Sequence, residues 1–382
     1  MSVPTFLEAR AAFKNVIGDS FNDQTLNSLI ASLANEARGI RFADLVISLP
    51  PMSMENGVIR IDTGRKSRNN TGEFWGQGAS GSIQKGTSGL IYKKITFPID
   101  SELEESVKEV FLEAWIQTVM GLDKKYGENI SQIRNIYRDI SIVRGWEKKQ
   151  QCILYITMDF NPLKITDYLF SFESPTLTDV KPQLTELGKI LQHFDKHYNF
   201  RHRDFHQGNI MFDEEKSVRL IDFGRSCLTF DWTTGSRQAI FGMPKYGGVI
   251  PEELMAINES PCFSLDLLTL IASFIEYYKD EMSESLFNFL NTVVTGEGGK
   301  NLFSYLKKLK EKDGAAFWLT YPDKFQLWSE SMIGELLTCP VITPTAFLAF
   351  LKTVRNVKTV RNKGNKGSKG SKGSKKNKTA KT

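Results

Sequence analysis

Residues 201–224 have the sequence RHRDFHQGNIMFDEEKSVRLIDFG, and this stretch decides the fold. Its two apolar runs, NIMFD and SVRLID, predict short strands joined by a turn at EEK. Asp204 precedes the first run, Asn209 begins it and Asp222 ends the second, so a hairpin would bring the three side chains together. A carboxylate can accept the proton of an attacking hydroxyl, and carboxylate and amide oxygens are ligands that Mg²⁺ prefers. The stretch therefore predicts phosphoryl transfer.

The four histidines of the chain all lie within residues 193–206, which suggests a metal site as a second interpretation. His193 and His197 are four residues apart and would share one face of a helix predicted over 180–198. However, Phe194 stands where the zinc-protease pattern needs a glutamate, and no cysteine is near in the sequence. We therefore favour histidines at the surface or at the edge of the core over metal ligands.

A glycine-rich stretch, WGQGASGSI (75–83), lies upstream and contains Gly76, Gly78 and Gly81, with Ile83 two residues beyond. Small residues let the backbone approach phosphate oxygens and donate N–H groups to them. The stretch is not a Walker A loop, because no Lys-Ser or Lys-Thr follows the last glycine. A strand-like run, LIYKKI, follows it instead of the long helix that a dinucleotide fold needs.

This second strand carries two adjacent lysines, which must point to opposite faces of a sheet. We favour Lys93 as the lysine that faces the phosphates, because Ile91 would then face the adenine. The alternative, Lys94, would place the bulky Tyr92 there.

The next predicted helix, over residues 102–120, should supply a glutamate that holds the lysine. Glu109 and Glu113 are the candidates on its inner face. We favour Glu113, because it follows the apolar Val110 by three residues and so shares its helix face. The number of residues between Lys93 and Glu113 also suits the end of a strand, a loop and two or three helical turns.

In this order, the motifs resemble those of the protein kinase superfamily over residues 70–280, and the likeness extends towards 351. The resemblance implies an α+β, two-lobed protein kinase-like fold, with a small β-rich N-lobe that has one main helix and a larger, mainly helical C-lobe. It divides the chain into a helical N-terminal extension with a basic linker (1–70), an N-lobe (71–160), a C-lobe (161–351) and a disordered tail rich in Lys, Gly and Ser (352–382).

The resemblance also implies that ATP is the phosphate donor. The phosphate loop would consist of Gly76, Gly78, Gly81 and Ile83. Met158 would be the gatekeeper before a hinge at Asp159 and Phe160, whose backbone groups would bind adenine.

The catalytic roles are implied in the same way. Asp204 would be the catalytic base, Asn209 and Asp222 would hold Mg²⁺ or Mn²⁺, and Lys93 would pair with Glu113. His206 stands where Ser/Thr kinases usually have a lysine that helps to neutralise the γ-phosphate. Asp266 resembles the buried acid that anchors the catalytic loop.

The function that follows is that of a Ser/Thr protein kinase acting on a protein substrate. One alternative is a small-molecule kinase of the aminoglycoside or choline kinase type, which His206 and the unusual segment GRSCLTFDWTTGSRQAIFGMPKYGG favour. Another alternative is a pseudokinase scaffold. The presence of Lys93, Asp204, Asn209 and Asp222 argues against it, since an inactive kinase usually lacks one of these residues.

The composition suits a soluble globular protein of two lobes, with 382 residues, 41% hydrophobic and 24% charged. We expect no transmembrane helix and no signal peptide, because the chain has no uncharged apolar run of about 18 residues and no basic-then-apolar start. The four cysteines form no CxxC pair, which favours reduced thiols and a cytoplasmic location.

The charge is concentrated at the end of the chain. Residues 352–382 contain ten lysines, two arginines and no acid, which leaves 37 basic residues against 44 acidic ones elsewhere. Such a tail attracts polyanions, either nucleic acid or acidic protein, although the lack of aromatics gives no support for base stacking. A solubilising or localising tail is the alternative. The compact design and this tail also resemble kinases encoded by large DNA viruses, which would place the protein in the host cytoplasm or the virion.

Overall fold

The computed structural model describes twelve ranges of the chain: 3–18, 21–34, 40–55, 58–61, 73–78, 81–85, 90–143, 149–169, 175–231, 238–242, 265–295 and 343–353. Most of the basic linker and nearly all of the lysine-rich tail lie outside these ranges. The predicted disorder of the tail, its polyanion contact and the four-part division of the chain therefore stay predictions.

The N-lobe is built on a five-stranded antiparallel sheet in the order β3-β4-β5-β7-β6. Its strands are β3 (Glu73–Gly78), β4 (Gly81–Lys85), β5 (Leu90–Pro98), β6 (Ile133–Val143) and β7 (Lys149–Asp159). Helix α4 (Leu103–Gly121) connects β5 to β6 and packs on both of these strands. The strand predicted for the run LIYKKI and the helix predicted over 102–120 are confirmed, as β5 and α4.

Three helices precede this sheet, in the N-terminal extension that was expected to be helical. They are α1 (Phe6–Ile17), α2 (Asp23–Leu33) and α3 (Phe42–Ser48), followed by the hairpin β1 (Met52–Glu55) and β2 (Val58–Ile61). Helix α1 begins at a capping box, in which Thr5 and Glu8 satisfy each other's backbone N–H groups. All three helices contact α4, so the extension covers the helix that carries Glu113.

Trp115 is the centre of this contact between the extension and α4. Its indole is fully buried and meets Phe6 and Phe13 of α1 at ring-centroid distances of 6.4 and 5.3 Å. On another side it meets Phe230 and Phe241 at 6.1 and 5.5 Å. Edge-to-face and tilted contacts of this kind add to the gain from apolar burial.

The two partners Phe230 and Phe241 belong to a hairpin that the sequence analysis did not predict, β11 (Cys227–Asp231) with β12 (Gln238–Gly242). Strand β6 was also not predicted, and the physical reason is different for β6 and for the β11–β12 hairpin. In β6 a bulge between Ile133 and Asn135 breaks the alternation of apolar and polar residues. In β11, consecutive buried residues hide any alternation, because the hairpin packs between other elements.

The C-lobe begins after the hinge with a small sheet in the order β10-β9-β8. Its strands are β8 (Leu163–Lys164), β9 (Ile210–Phe212) and β10 (Val218–Leu220), and its described helices are α5 (Ile165–Leu169), α6 (Leu177–Tyr198), α7 (Leu265–Tyr278), α8 (Glu284–Thr295) and α9 (Pro344–Thr353). The predicted hairpin around residue 215 and the helix over 180–198 are therefore confirmed. Helix α6 packs on α9 and on β10 and β11, so the β9–β10 hairpin rests on the helical core.

Candidate active site

The site lies between the lobes, where Lys93 of β5 reaches two carboxylates from different parts of the chain. Its Nζ is 3.1 Å from Glu113 Oε1 on α4 and 3.2 Å from Asp222 Oδ1, which follows β10. Lys93 and Glu113 are both buried. Lys94, the alternative from the sequence, is partly exposed on the same strand, so the structure places Lys93 in the cleft.

The three charges determine one another's protonation. Burial by itself would lower the pKa of Lys93, but Asp222 and Glu113 raise it overall, so the ammonium stays charged. The charge of Lys93 lowers the pKa of Asp222. Burial raises the pKa of Glu113, an effect that Lys93 opposes. Removal of one member would leave a buried charge without its partner, which is strongly destabilising.

Asp204 and Asn209 form the second half of the site, below Lys93 in the catalytic loop (residues 201–209). Asn209 donates from Nδ2 to the backbone oxygen of Asp204 at 2.8 Å and to its Oδ2 at 3.2 Å. The other carboxylate oxygen, Oδ1, is buried and has no hydrogen-bond partner in the part of the chain that the structure describes. Burial raises the pKa of Asp204 to about 6, and the positive charge of Arg225 is the largest effect that opposes this rise.

Asp266, at the start of α7, anchors the backbone of this loop through hydrogen bonds. Asp266 is buried and accepts the backbone N–H of His202 at 2.8 Å and that of Arg203 at 2.9 Å, one on each carboxylate oxygen. Arg203 has φ = 63°, and Asp222 has φ = 59°, both in the left-handed region. Non-glycine residues remain there only where surrounding contacts hold them, and such residues cluster at functional sites.

His206 lies in the same loop, with its ring close to Asp204. Its Nδ1 accepts the backbone N–H of Gly208 at 3.0 Å, and its Nε2 lies 3.9 Å from Asp204 Oδ2. Burial lowers the pKa of His206. The backbone of residue 208 lies so close to the His206 ring that only glycine fits there, because a Cβ on Gly208 would come within 2.7 Å of His206 Cε1.

A pocket opens next to this cluster, between the two lobes. Of the predicted ATP-site residues, it is lined by Gly81, Ile83, Lys93 and Met158, together with Glu113 and Asp222. Ile91, which was expected to face the adenine, also lines the pocket. The other lining residues were not predicted as part of the site: Ser131, Asn161, Met211 and Ile221. Gly76 and Gly78 lie on β3, paired with Ile83 and Gly81, so the three glycines form the β3–β4 edge above the pocket.

The predicted hinge residues lie beside the pocket, and their contact with adenine stays a prediction. Asp159 and Phe160 line a cavity of about 500 Å³ beside the hinge and not the pocket itself. The carboxylate of Asp159 forms a bidentate salt bridge with Arg134, with both hydrogen bonds at 2.8 Å. The backbone N–H of Asp159 donates to the backbone oxygen of Gln132 at 3.2 Å. Asn161, two residues on, reaches the pocket and was missed because a lone Asn after a strand gives no signal in the sequence.

The described histidines outside the loop have structural partners. His193 Nε2 is 2.9 Å from Asp123 Oδ2, and its ring lies 4.4 Å from that of His197. A carboxylate therefore lies beside His193, as a metal site would require. However, this carboxylate of Asp123 also accepts the hydroxyl of Tyr198 and two backbone N–H groups.

Two lobes joined at a hinge, with a lysine, a glutamate, two aspartates and an asparagine meeting between them, define a protein kinase-like fold. Comparison with known proteins agrees. Residues 55–240 match the family described as the Haspin like kinase domain. A stretch of 80 residues is 35% identical to a probable serine/threonine-protein kinase of Dictyostelium discoideum, and it covers 21% of this chain and 5% of that protein. Fold, site and these matches together support a protein kinase-like superfamily for this chain.

None of the helices in the described ranges is long and apolar enough to cross a lipid bilayer.

Proposed function

We propose that this chain is an ATP-dependent protein kinase that transfers the γ-phosphoryl group of Mg·ATP to a serine or threonine hydroxyl of a protein. The observation that carries the proposal is the carboxylate of Asp204. Asn209 holds one of its oxygens at 3.2 Å, while the other is buried and unpaired among the described residues. Buried polar atoms are rarely without a partner, and an oriented acceptor suits the hydroxyl of an incoming substrate.

In the proposed step, the acceptor oxygen forms a bond to the γ-phosphorus while the bond from that phosphorus to the β–γ bridging oxygen breaks. ADP leaves with the electron pair of the broken bond, and the hydroxyl proton passes to Asp204. The pKa of about 6, raised by burial, makes Asp204 a better proton acceptor than an ordinary aspartate while it is still mostly ionised at neutral pH.

The remaining residues position and neutralise phosphates. Lys93, fixed by Glu113, would bind the phosphates of ATP as a charged donor. Asn209 and Asp222 suit Mg²⁺ or Mn²⁺, because amide and carboxylate oxygens are ligands of hard cations, and Asn209 bonds to Asp204 through its Nδ2 and not through its oxygen. The cation would neutralise charge on the β- and γ-phosphates.

The choice of a serine or threonine substrate rests on the likeness to the Dictyostelium protein, which is a probable serine/threonine-protein kinase. The small-molecule alternative keeps one argument, His206 in place of lysine. Contact of the lysine-rich tail with polyanions, the cytoplasmic location and the likeness to viral kinases remain proposals from the sequence alone.

The test is transfer of labelled γ-phosphate from Mg·ATP by the full chain and by Asp204→Asn. Each protein is offered casein, histones and basic myelin protein, and separately aminoglycosides, choline and sugars. We expect labelling of protein serine or threonine that Asp204→Asn abolishes. Labelling of a small molecule alone would favour the alternative, and binding of Mg·ATP without transfer to any acceptor would contradict an autonomous kinase.

A further inference from the structure

The five-stranded sheet of the N-lobe has a second face, opposite the one that carries the site. On the site face, Lys93 meets Glu113 of α4, and α1 packs beside α4 on β6. On the other face, which we call the tyrosine face, the strands β5, β7 and β6 carry Tyr92, Tyr155 and Tyr137 side by side. These side chains form a cluster of their own, separate from the main core.

The tyrosine face is nearly closed to solvent. Tyr92, Tyr155 and Thr157 are 2%, 1% and 0% exposed. Neighbours on one face of a sheet shield the flanks of a side chain but not its end, because all of them point away from the sheet in the same direction. Burial this complete therefore requires a further layer of chain above the face.

The chemistry of the face indicates that this layer is polar. Thr157 Oγ1 and Gln84 Oε1 are buried and have no hydrogen-bond partner among the residues that the structure describes. Both lie on the tyrosine face, because Tyr92 is the cross-strand partner of each. Buried polar atoms are rarely without a partner, and aromatic rings attract cations to their faces. Hydrogen-bond donors and cations above the face would satisfy both needs.

The route of the chain identifies a segment that can form this layer. Pro51, directly before β1, bridges to Arg138 on β6, and β2 returns beside β1 to end at Ile61. The chain is described again from Glu73, which begins β3 at the opposite edge of the sheet. The residues between them, 62–72, must pass from one edge to the other. Four strand spacings amount to about 19 Å, and a segment of this length reaches about 36 Å when extended.

This segment has the composition that the tyrosine face requires. Its sequence, DTGRKSRNNTG, has no large apolar side chain, and Arg65, Lys66 and Arg68 supply cations. The tyrosine face carries the opposite charge on Asp139, which follows Tyr137 by two residues on β6 and so points the same way. The site face is occupied by α1 and α4, which leaves the tyrosine face for the crossing.

We propose that residues 62–72, the crossing segment, pass over the tyrosine face and cover it, with their cations above the tyrosine rings and beside Asp139. The segment leads directly into β3, whose Gly76 and Gly78 form part of the edge above the pocket. A crossing segment held on the sheet therefore also fixes this edge. The inference goes beyond the proposed function and does not depend on it, because it requires no phosphate transfer.

The experiment measures how fast tetranitromethane nitrates each tyrosine of the full-length protein, by mass spectrometry. Four proteins are compared: wild type, a variant with residues 62–72 replaced by Gly and Ser at the same length, a control with residues 362–372 of the basic tail replaced in the same way, and R65Q/K66Q/R68Q. Tyr198, which is 1% exposed in the C-lobe, reports whether the fold is intact. Calorimetry gives the Kd of each protein for Mg·ADP.

We expect replacement of the crossing segment to speed nitration of Tyr92, Tyr137 and Tyr155 by about tenfold, through loss of their local cover, while Tyr198 stays protected. The tail control should behave as the wild type. R65Q/K66Q/R68Q should lie between the two, because the cations are lost and the backbone remains. The Kd for Mg·ADP should rise about threefold when the crossing segment is replaced, since the glycine edge loses its preorganisation.

Unchanged nitration after replacement of the crossing segment would show that another part of the chain covers the face, and would overturn the proposal. Faster nitration in the tail control would assign the face to the tail and overturn it equally. An unchanged Kd would reject the effect on the glycine edge. If Tyr198 also reacts in the Gly and Ser variant, that protein has unfolded and R65Q/K66Q/R68Q decides, because wild-type protection there would rule out contact between the cations and the rings.

Discussion

At the residue scale, a single carboxylate sets the geometry of the catalytic loop. Both oxygens of the buried Asp266 accept backbone N–H groups, from His202 and Arg203, at 2.8 and 2.9 Å. These bonds hold Arg203 in a left-handed conformation that it would otherwise leave. Asp266 therefore fixes the backbone of the two residues that precede Asp204.

For Asp266→Asn we expect a loss of unfolding free energy of about 2 kcal/mol, because the amide NH₂ would face a backbone donor. The phosphate-transfer rate should fall with it, since the backbone of Asp204 loses its support. Urea denaturation and kcat measure the two effects. Asp280→Asn, an exposed aspartate in the short turn that follows α7, is the control, and an equal loss in that variant would contradict the assignment.

Gly208 offers a second prediction at this scale. A methyl group at this position would collide with the ring of His206, at 2.7 Å from Cε1. We expect Gly208→Ala to lower kcat by about tenfold with nucleotide affinity unchanged, through loss of the bond that orients His206. In a His206→Ala background the same change should have no further effect. A full additional loss there would mean that Gly208 acts on something other than the ring.

Residue types and spacing were sufficient to predict that Glu113 and Asp222 meet at Lys93. The alternation of side chains along β5 separated Lys93 from Lys94, because Ile91 and Lys93 both line the pocket. Spacing along the sequence says nothing about Asn161 or Arg225, whose surroundings come from distant segments. The roles of the predicted site residues stay predictions until activity is measured.

At the scale of elements, α4 is the helix whose position controls Glu113. Every residue of α4 from Val110 to Met120 is buried. The aromatic contacts of Trp115 join it to α1 and to the β11–β12 hairpin at once. The sequence predicted a helical extension and the helix α4, but not that they pack together, since apolar spacing shows which face of a helix is buried and not against which partner.

Phe13 of α1 tests whether the extension holds α4 in place. Its ring is fully buried at 5.3 Å from Trp115. We expect Phe13→Ala to lower the free energy of unfolding by about 3 kcal/mol through the cavity that it leaves. The transfer rate should also fall, because Glu113 lies two residues from Trp115 on α4.

The control for Phe13→Ala is Leu7→Ala, on the same helix but 55% exposed, which should change neither the stability nor the rate. Stability is measured by urea denaturation, and the rate at saturating Mg·ATP. A Phe13→Ala protein that is less stable but fully active would show that α1 serves the fold alone and not the position of Glu113.

At the scale of the whole molecule, the N-lobe and the C-lobe are joined away from the hinge by Asp123, which follows α4. Its buried carboxylate accepts Tyr198 at 2.8 Å and meets His193 at 2.9 Å, both on α6. It also accepts the backbone N–H groups of Lys125 and Tyr126, each at 2.9 Å. The network therefore fixes the start of the connection between α4 and β6 on helix α6 of the C-lobe.

The network makes the stability of the molecule depend on pH. Burial by itself would raise the pKa of Asp123, but the hydrogen bonds, that of His193 first, lower it overall. A carboxyl group whose pKa is lower in the folded state than in the unfolded state stabilises the fold above its unfolded pKa, which is about 3.9. This contribution is lost as the pH falls through the folded value.

We therefore expect Asp123→Asn to lower the free energy of unfolding by about 2 kcal/mol at pH 7, and the difference from the wild type to shrink as the pH falls from 5 to 3. Urea denaturation of the two proteins at each pH measures it. His197→Gln, beside His193 but exposed, should give the wild-type curve. A difference between Asp123→Asn and the wild type that stays constant down to pH 3 would show that the charge of Asp123 does not join the lobes and that only its shape matters.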